Sequence, residues 1–232
     1  GHGLSLMGTV QAAVRRQASR GTTRPGGLVL QGADVRRSLR LGREGNLVVF
    51  VVDTSGSMGA ARRLREVRTA VLSLLLDAYQ RRDKVAVVTF AGDRADVVLA
   101  PTSSVERAER ALAGVPTGGR TPLAEGIVAA EAMVRRERTR DPLRRPLLLL
   151  LTDGRATSGP DALDRALAAA RGAAVRDGEW VVLDAEDPRA PVRLGLARHV
   201  AAALGADWLQ LGDLAAPGLA RLARDRSTRR VA

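Results

Sequence analysis

The sequence predicts an α/β domain of three layers, doubly wound and Rossmann-like, with a mostly parallel sheet and one antiparallel edge strand. Three observations carry that expectation. A continuous apolar run at 47–52, the largely apolar stretch 85–90 and the all-leucine stretch 147–151 suit strands buried on both faces of a sheet. Apolar residues at helical spacing occupy most intervals between strands, which implies βαβ crossovers with helices on both faces. Only the short turn 92–94 separates strand 85–90 from strand 96–99, too little for a crossover, so that strand must return antiparallel.

Taken in chain order, residues 1–2 have the character of a vector remnant. Met7, Val10 and Val14 share helical spacing before the breaker-rich stretch 21–27, and two short strand-like pieces follow at 28–30 and 35–41. After strand 47–52, Val67, Val71, Leu74, Leu75 and Ala78 form one face of a helix that closes before Asp83. Helices over 104–113 and 122–138 precede strand 147–151. Helix 160–176, strand 180–183, helix 191–204, strand 207–211 and a last helix from about 213 complete the alternation. Ligands of such folds sit at the carboxyl ends of strands, near the switch point of strand order. The loops after Val52, Phe90 and Leu151 are therefore where chemistry is expected.

Composition narrows the classes. Of 232 residues, 45% are hydrophobic and 27% charged, which excludes collagen-like, coiled-coil and disordered chains. A chain of this length buries roughly 70% of its unfolded surface, enough for one large core. The absence of cysteine excludes a disulfide scaffold, a cysteine-ligated metal and a cysteine nucleophile. His2 and His199 are the only histidines, so a multi-histidine metal site is excluded as well. No apolar run approaches the roughly 18 residues of a membrane span, and no leader pattern is seen. A cytoplasmic protein without membrane contact is the expectation.

The net charge of +12 is concentrated at the ends. Residues 1–46 hold eight arginines against two acids, and the stretch from Arg221 holds five against one. Such ends suit docking onto nucleic acid or an acidic protein face, or are simply solvated arginines. With aromatics at 2%, stacking platforms for single strands are scarce, which favours solvated arginines or a protein partner.

The expected strand ends carry a distinctive set of oxygens. Asp53-Thr54-Ser55-Gly56-Ser57 follows the first strand as Asp-x-Ser-x-Ser. Thr152-Asp153-Gly154 follows the third, and Thr121-Pro122 opens a helix between them. Two carboxylates and three hydroxyls thus converge on one sheet edge, a donor set that suits a hard cation such as Mg²⁺. Each residue alone has a plainer explanation. Asp53, Ser55 and Gly56 can form a turn, Thr121 can cap a helix with Pro122 at its first position, and Asp153-Gly154 is a common turn pair. Their joint placement favours the metal. Other chemistries lack their residues: Ser57 is not in Gly-x-Ser-x-Gly, and His199 reads as a lone helix histidine. Asp53-Thr54-Ser55 lacks the second Asp of an aspartate-nucleophile phosphatase, and no phosphate-binding Gly-x-x-x-x-Gly-Lys loop occurs. No catalytic or organic-cofactor residues are assigned.

These motifs resemble a von Willebrand factor A (integrin I-like) domain with a metal-ion-dependent adhesion site. The resemblance implies Mg²⁺ at Asp53, Ser55, Ser57, Thr121 and Asp153, with Mn²⁺ or Ca²⁺ able to substitute. It further implies direct ligation by both serines, mainly water-mediated ligation by both aspartates, and a conformation-dependent role for Thr121. The phrases at 46–58, 76–83, 100–104 and 115–123 are similar to the C-terminal domain of the D-type magnesium chelatase subunit and its cobaltochelatase relative. That likeness spans about residues 28–212. It implies a non-catalytic, Mg-dependent protein-interaction domain of an ATP-dependent chelatase that inserts Mg or Co into a tetrapyrrole, with cobalamin synthesis favoured. The partners implied are an AAA+ ATPase subunit or the large catalytic subunit, through an acidic side chain that completes the coordination. The family's preceding ATPase module is not in this sequence, so an excised domain is expected: a basic linker at 1–45, the von Willebrand A domain at 46–225, and a basic tail at 226–232. The alternatives are an adaptor of another AAA+ complex, or nucleic-acid binding through the arginine-rich ends.

Overall fold

A computed structural model describes residues 12, 17, 31–34, 45–56, 58–78, 83–174, 178–187, 193–211 and 216–229. The helical spacing of Met7, Val10 and Val14, the strand-like pieces 28–30 and 35–41, and Ser57 lie outside the described residues. The chain forms two compact units, 1–43 and 44–232. In the first, Gly32–Asp34 form a 3-10 turn.

In the second unit, β1 (Asn46–Asp53) leads through α1 (Met58–Ala78) to β2 (Lys84–Ala91) and β3 (Arg94–Thr102). Then α2 (Val105–Leu112) and α3 (Leu123–Arg140) precede β4 (Arg145–Thr152). The order ends with α4 (Ala162–Ala174), β5 (Glu179–Asp184), α5 (Leu196–Leu204), β6 (Asp207–Gln210) and α6 (Ala216–Arg229). The six strands lie in the order β3-β2-β1-β4-β5-β6. Only β3 is antiparallel, as the short turn before it requires. From central β1 the chain first winds outward through β2 and β3, then returns to β4 and winds the other way. The strand order therefore reverses between β1 and β4.

Strand alternation divides the core into two layers. Leu47, Val49 and Val51 face α3, α4 and α5, while Val48, Phe50 and Val52 face α1, α2 and α6. Burying both faces of β1 explains why its sequence is a continuous apolar run and not an alternating one. Small residues let helices approach closely. The stripe Ala166, Ala170 and Ala173 faces the sheet from α4, and a Cβ on Gly126 of α3 would come within 2.6 Å of the Phe90 ring.

Several element bounds differ from the sequence expectation, among them those of β3, which runs Arg94–Thr102 where 96–99 was expected. Helix α5 opens at Leu196, because Gly195 takes a left-handed φ of 62° that breaks any helix begun earlier. Helix α6 runs on to Arg229, and Arg226 is ion-paired with Glu179 at 2.8 Å and Asp207 at 2.5 Å. This guanidinium of the basic end is thus engaged by the sheet's own acids.

At the amino edge of the sheet, Lys84, the sole lysine, is ion-paired with buried Glu137 of α3. Arg144 Nε lies 3.4 Å from the same carboxylate, and Asp83 Oδ1 accepts the Asn46 backbone N–H at 2.7 Å. Removing one member of a buried pair strands the other charge. Glu137→Ala is expected to lower unfolding stability by roughly 3 kcal/mol in urea titrations, with the fold retained.

Candidate metal centre

Register fixes what meets at the switch point. Val52 of β1 pairs with Leu151 of β4, and Asp53 pairs with Phe90 of β2, so Asp53 and the Thr152-Asp153 pair leave the sheet side by side. Asp53 is 1% exposed. Its Oδ1 accepts the Ser55 hydroxyl at 2.5 Å and the Ser55 backbone N–H at 3.0 Å, and its Oδ2 accepts the Thr152 hydroxyl at 3.0 Å. Burial pushes the Asp53 carboxyl above its ordinary value. The Ser55 hydrogen bond and nearby Arg63 pull the other way, and the charge of Asp153 adds to the rise.

The two flanking loops are fastened to this one. Ser55 Oγ lies 2.8 Å from Thr121 Oγ1. The Thr54 carbonyl accepts the Gly118 N–H at 2.7 Å, and Gly92 N–H donates to the Arg120 carbonyl at 2.8 Å. Gly118 and Gly119 hold φ values of 119° and 90°, and a Cβ on Gly119 would press on Gly92 at 3.2 Å. Arg63 of α1 donates to the carbonyls of Asp53 at 3.1 Å and Ser55 at 3.3 Å, closing the loop over the helix. On the other side, Gly154 at φ 78° packs so closely on α5 that a Cβ would sit 2.2 Å from the Ala197 nitrogen.

The structure shows residue by residue which of the plain explanations hold. Thr121 does not cap α3: the capping position is Pro122, without a side-chain bond, and the Thr121 hydroxyl turns to Ser55. Asp153 does serve its turn, accepting the Arg155 N–H at 2.9 Å, with Arg155 Nε 3.5 Å from its other oxygen. Asp53, Ser55 and Thr121 thus form one hydrogen-bonded line with Asp153 beside it. Among the described residues no group of three or more His, Cys, Asp or Glu side chains gathers as a metal site. The donors here are two carboxylates and two hydroxyls. His199 is exposed on α5, apart from this constellation.

Sequence reasoning gave no role to Thr152, Arg63 or Thr157. A hydroxyl ending the apolar run of β4 was a usable signal for Thr152. Nothing local marked Thr157, whose hydroxyl accepts the Thr121 N–H at 2.9 Å.

Residues 48–155 match the von Willebrand factor type A domain. The chain belongs to that family. This von Willebrand A chain is similar to an uncharacterized protein of Mycobacterium tuberculosis, with 52% identity over 223 residues, which are 96% of this chain and 34% of that protein. It is also similar to the magnesium-chelatase 67 kDa subunit of Chlorobaculum parvum, with 39% identity over 145 residues, 62% of this chain and 23% of that subunit. The chain therefore spans a minor part of either relative. The von Willebrand factor type A structure from Catenulispora acidiphila aligns with a TM-score of 0.54 at 22% identity, covering 79% of this chain and 42% of that one, which shows the fold. No helix among the described residues is long and apolar enough to cross a membrane.

Glu186, after β5, accepts the Leu194 N–H at 2.7 Å and the Gly195 N–H at 3.1 Å. Chiefly the Leu194 bond holds its carboxyl below the ordinary range. A carboxyl depressed in the folded state adds stability above its unfolded value, and loses it as pH falls through the folded one. Urea midpoints measured from neutral to acid pH are expected to fall less steeply for Glu186→Gln than for the parent.

Proposed function

We propose that this von Willebrand A domain holds Mg²⁺ through Asp53, Ser55, Ser57, Thr121 and Asp153, and recognises an acidic side chain of a protein partner within an ATP-dependent chelatase. The observation that carries the reading is the oxygen spacing. Ser55 Oγ lies 2.5 Å from Asp53 Oδ1 and 2.8 Å from Thr121 Oγ1. Neighbouring ligand oxygens of a Mg²⁺ octahedron, with bonds of about 2.0–2.1 Å, sit about 2.9 Å apart. The Ser55 and Thr121 hydroxyls already stand close to that spacing, as two direct ligands would, while Asp53, hydrogen-bonded to Ser55, would act on the ion through water. Mn²⁺ or Ca²⁺ can take the same donors.

The division of labour follows from charge. Hydroxyls contribute no negative charge, and Asp53 is buried and engaged by Ser55 and Thr152. A bound divalent ion supplies an incompletely neutralised Lewis-acidic position that accepts a carboxylate from outside. Arg63 and Thr152 keep the Asp53 loop in place, and Gly154 seats the Asp153 turn against α5. The partner is an AAA+ ATPase subunit or a large catalytic subunit, and the complex inserts Mg or Co into a tetrapyrrole, a step this domain does not itself perform. The similarity to a magnesium-chelatase subunit supports that setting.

Titration calorimetry with Mg²⁺ tests the site. Ser55→Ala and Asp153→Ala are each expected to weaken binding by about tenfold or more while far-UV circular dichroism stays unchanged. Unchanged affinity in both variants overturns the assignment.

A further inference from the structure

The segment 152–157 grips both other donor loops, and does so with threonines outside the proposed ligand set. Thr152 is fully buried at the end of β4. Its hydroxyl donates to Asp53 Oδ2 at 3.0 Å and accepts the Gly154 N–H at 3.1 Å, so one oxygen spans the gap between β1 and the Asp153 turn. Five residues on, Thr157 makes a two-point contact with Thr121. Thr157 Oγ1 accepts the Thr121 N–H at 2.9 Å, and Thr157 N–H donates to the Thr121 carbonyl at 3.1 Å. Thr121 turns its own hydroxyl to Ser55 at 2.8 Å, and so is fixed from both sides. Neither hydroxyl is used to pair a strand or cap a helix: Thr152 ends β4, pairing with β5 through its backbone, and Thr157 lies in the loop before α4.

We propose that Thr152 and Thr157 are positioning residues that set the ion preference of the centre, making it selective for Mg²⁺ over Ca²⁺. The inference rests on the metal site proposed above. Mg²⁺ demands a near-ideal octahedron at about 2.0–2.1 Å, whereas Ca²⁺ accepts longer and irregular bonds of about 2.3–2.6 Å. Donors locked at fixed spacing favour the smaller, stricter ion. Donors on loosened loops still satisfy the larger one. Thr152 removes the rotational freedom of Asp53, and Thr157 removes the translational freedom of Thr121 relative to the Asp153 turn.

The test is calorimetric titration of the whole chain with MgCl₂ and, separately, CaCl₂, for the parent and Thr152→Val, Thr152→Ser, Thr157→Val and Thr157→Ser. Both valine variants are expected to lose Mg²⁺ affinity by about tenfold or more, with Ca²⁺ affinity changed by less than about threefold. Each serine variant keeps the hydroxyl and is expected to restore the parent's Mg²⁺:Ca²⁺ ratio. Thr157 is exposed, so its valine variant remains folded even where Thr152→Val does not. Mg²⁺ binding unchanged in the Thr157→Val protein, or an equal loss of both ions, overturns the positioning role and leaves the metal site standing. A parent chain that binds neither ion overturns both.

Discussion

Asp53 closes the central strand with a carboxylate that water scarcely reaches, and the surrounding structure is organised to tolerate it. Burying a charged group without partners is costly, and burial has already moved this carboxyl toward its neutral form. The compensation comes from three directions: Ser55 on its own loop, Thr152 from β4, and Arg63, whose charge lies nearby while its donors hold the loop carbonyls. These partners belong to elements that must be in register before they can meet. The β1–β4 ladder, the start of α1 and the Asp53 loop are therefore a single arrangement.

The position of this carboxylate follows from the winding of the sheet. Chain reversal at β1 opens a crevice between the carboxyl ends of β1 and β4, because connections leave it on opposite faces. Loop 117–121 enters from the β2 side, fastened by glycines that alone accept its backbone and its close approach to Gly92. What reaches the crevice is a set of hydroxyls and carboxylates, with no thiol in the chain. That chemistry suits hard cations and outside carboxylates better than soft metals.

The strands were legible in the sequence wherever burial on two faces removed every polar residue, as at 47–52 and 147–151. The antiparallel return of β3 was legible because a turn this short leaves no room for a crossover. Less was visible where a backbone conformation decided the outcome: the left-handed Gly195 delays α5, and no periodicity reports it. That Asp53, Ser55 and Thr121 meet at one sheet edge was legible because their motifs sit at predictable strand and helix ends. Thr157 and Arg63 were not. Their partners are backbone groups, Thr121 on another loop for Thr157 and Asp53 with Ser55 just before its own helix for Arg63, and a bond to backbone leaves no residue pattern to read. Arg226 shows the same limit for charge: counted along the chain it belongs to a basic end, yet Glu179 and Asp207 neutralise it in space.

Under the proposed function, an ion held at the β1–β4 crevice joins this domain to an acidic partner. The most direct measurement is retention of the purified chelatase-type ATPase and large subunits on the immobilised chain, in Mg²⁺, in EDTA, and in Mg²⁺ with high salt. A metal-bridged contact is expected to give retention in Mg²⁺ and release by EDTA, with salt having the smaller effect. Retention that ignores EDTA and collapses in salt would contradict it, and would transfer the binding surface to the arginine-rich ends.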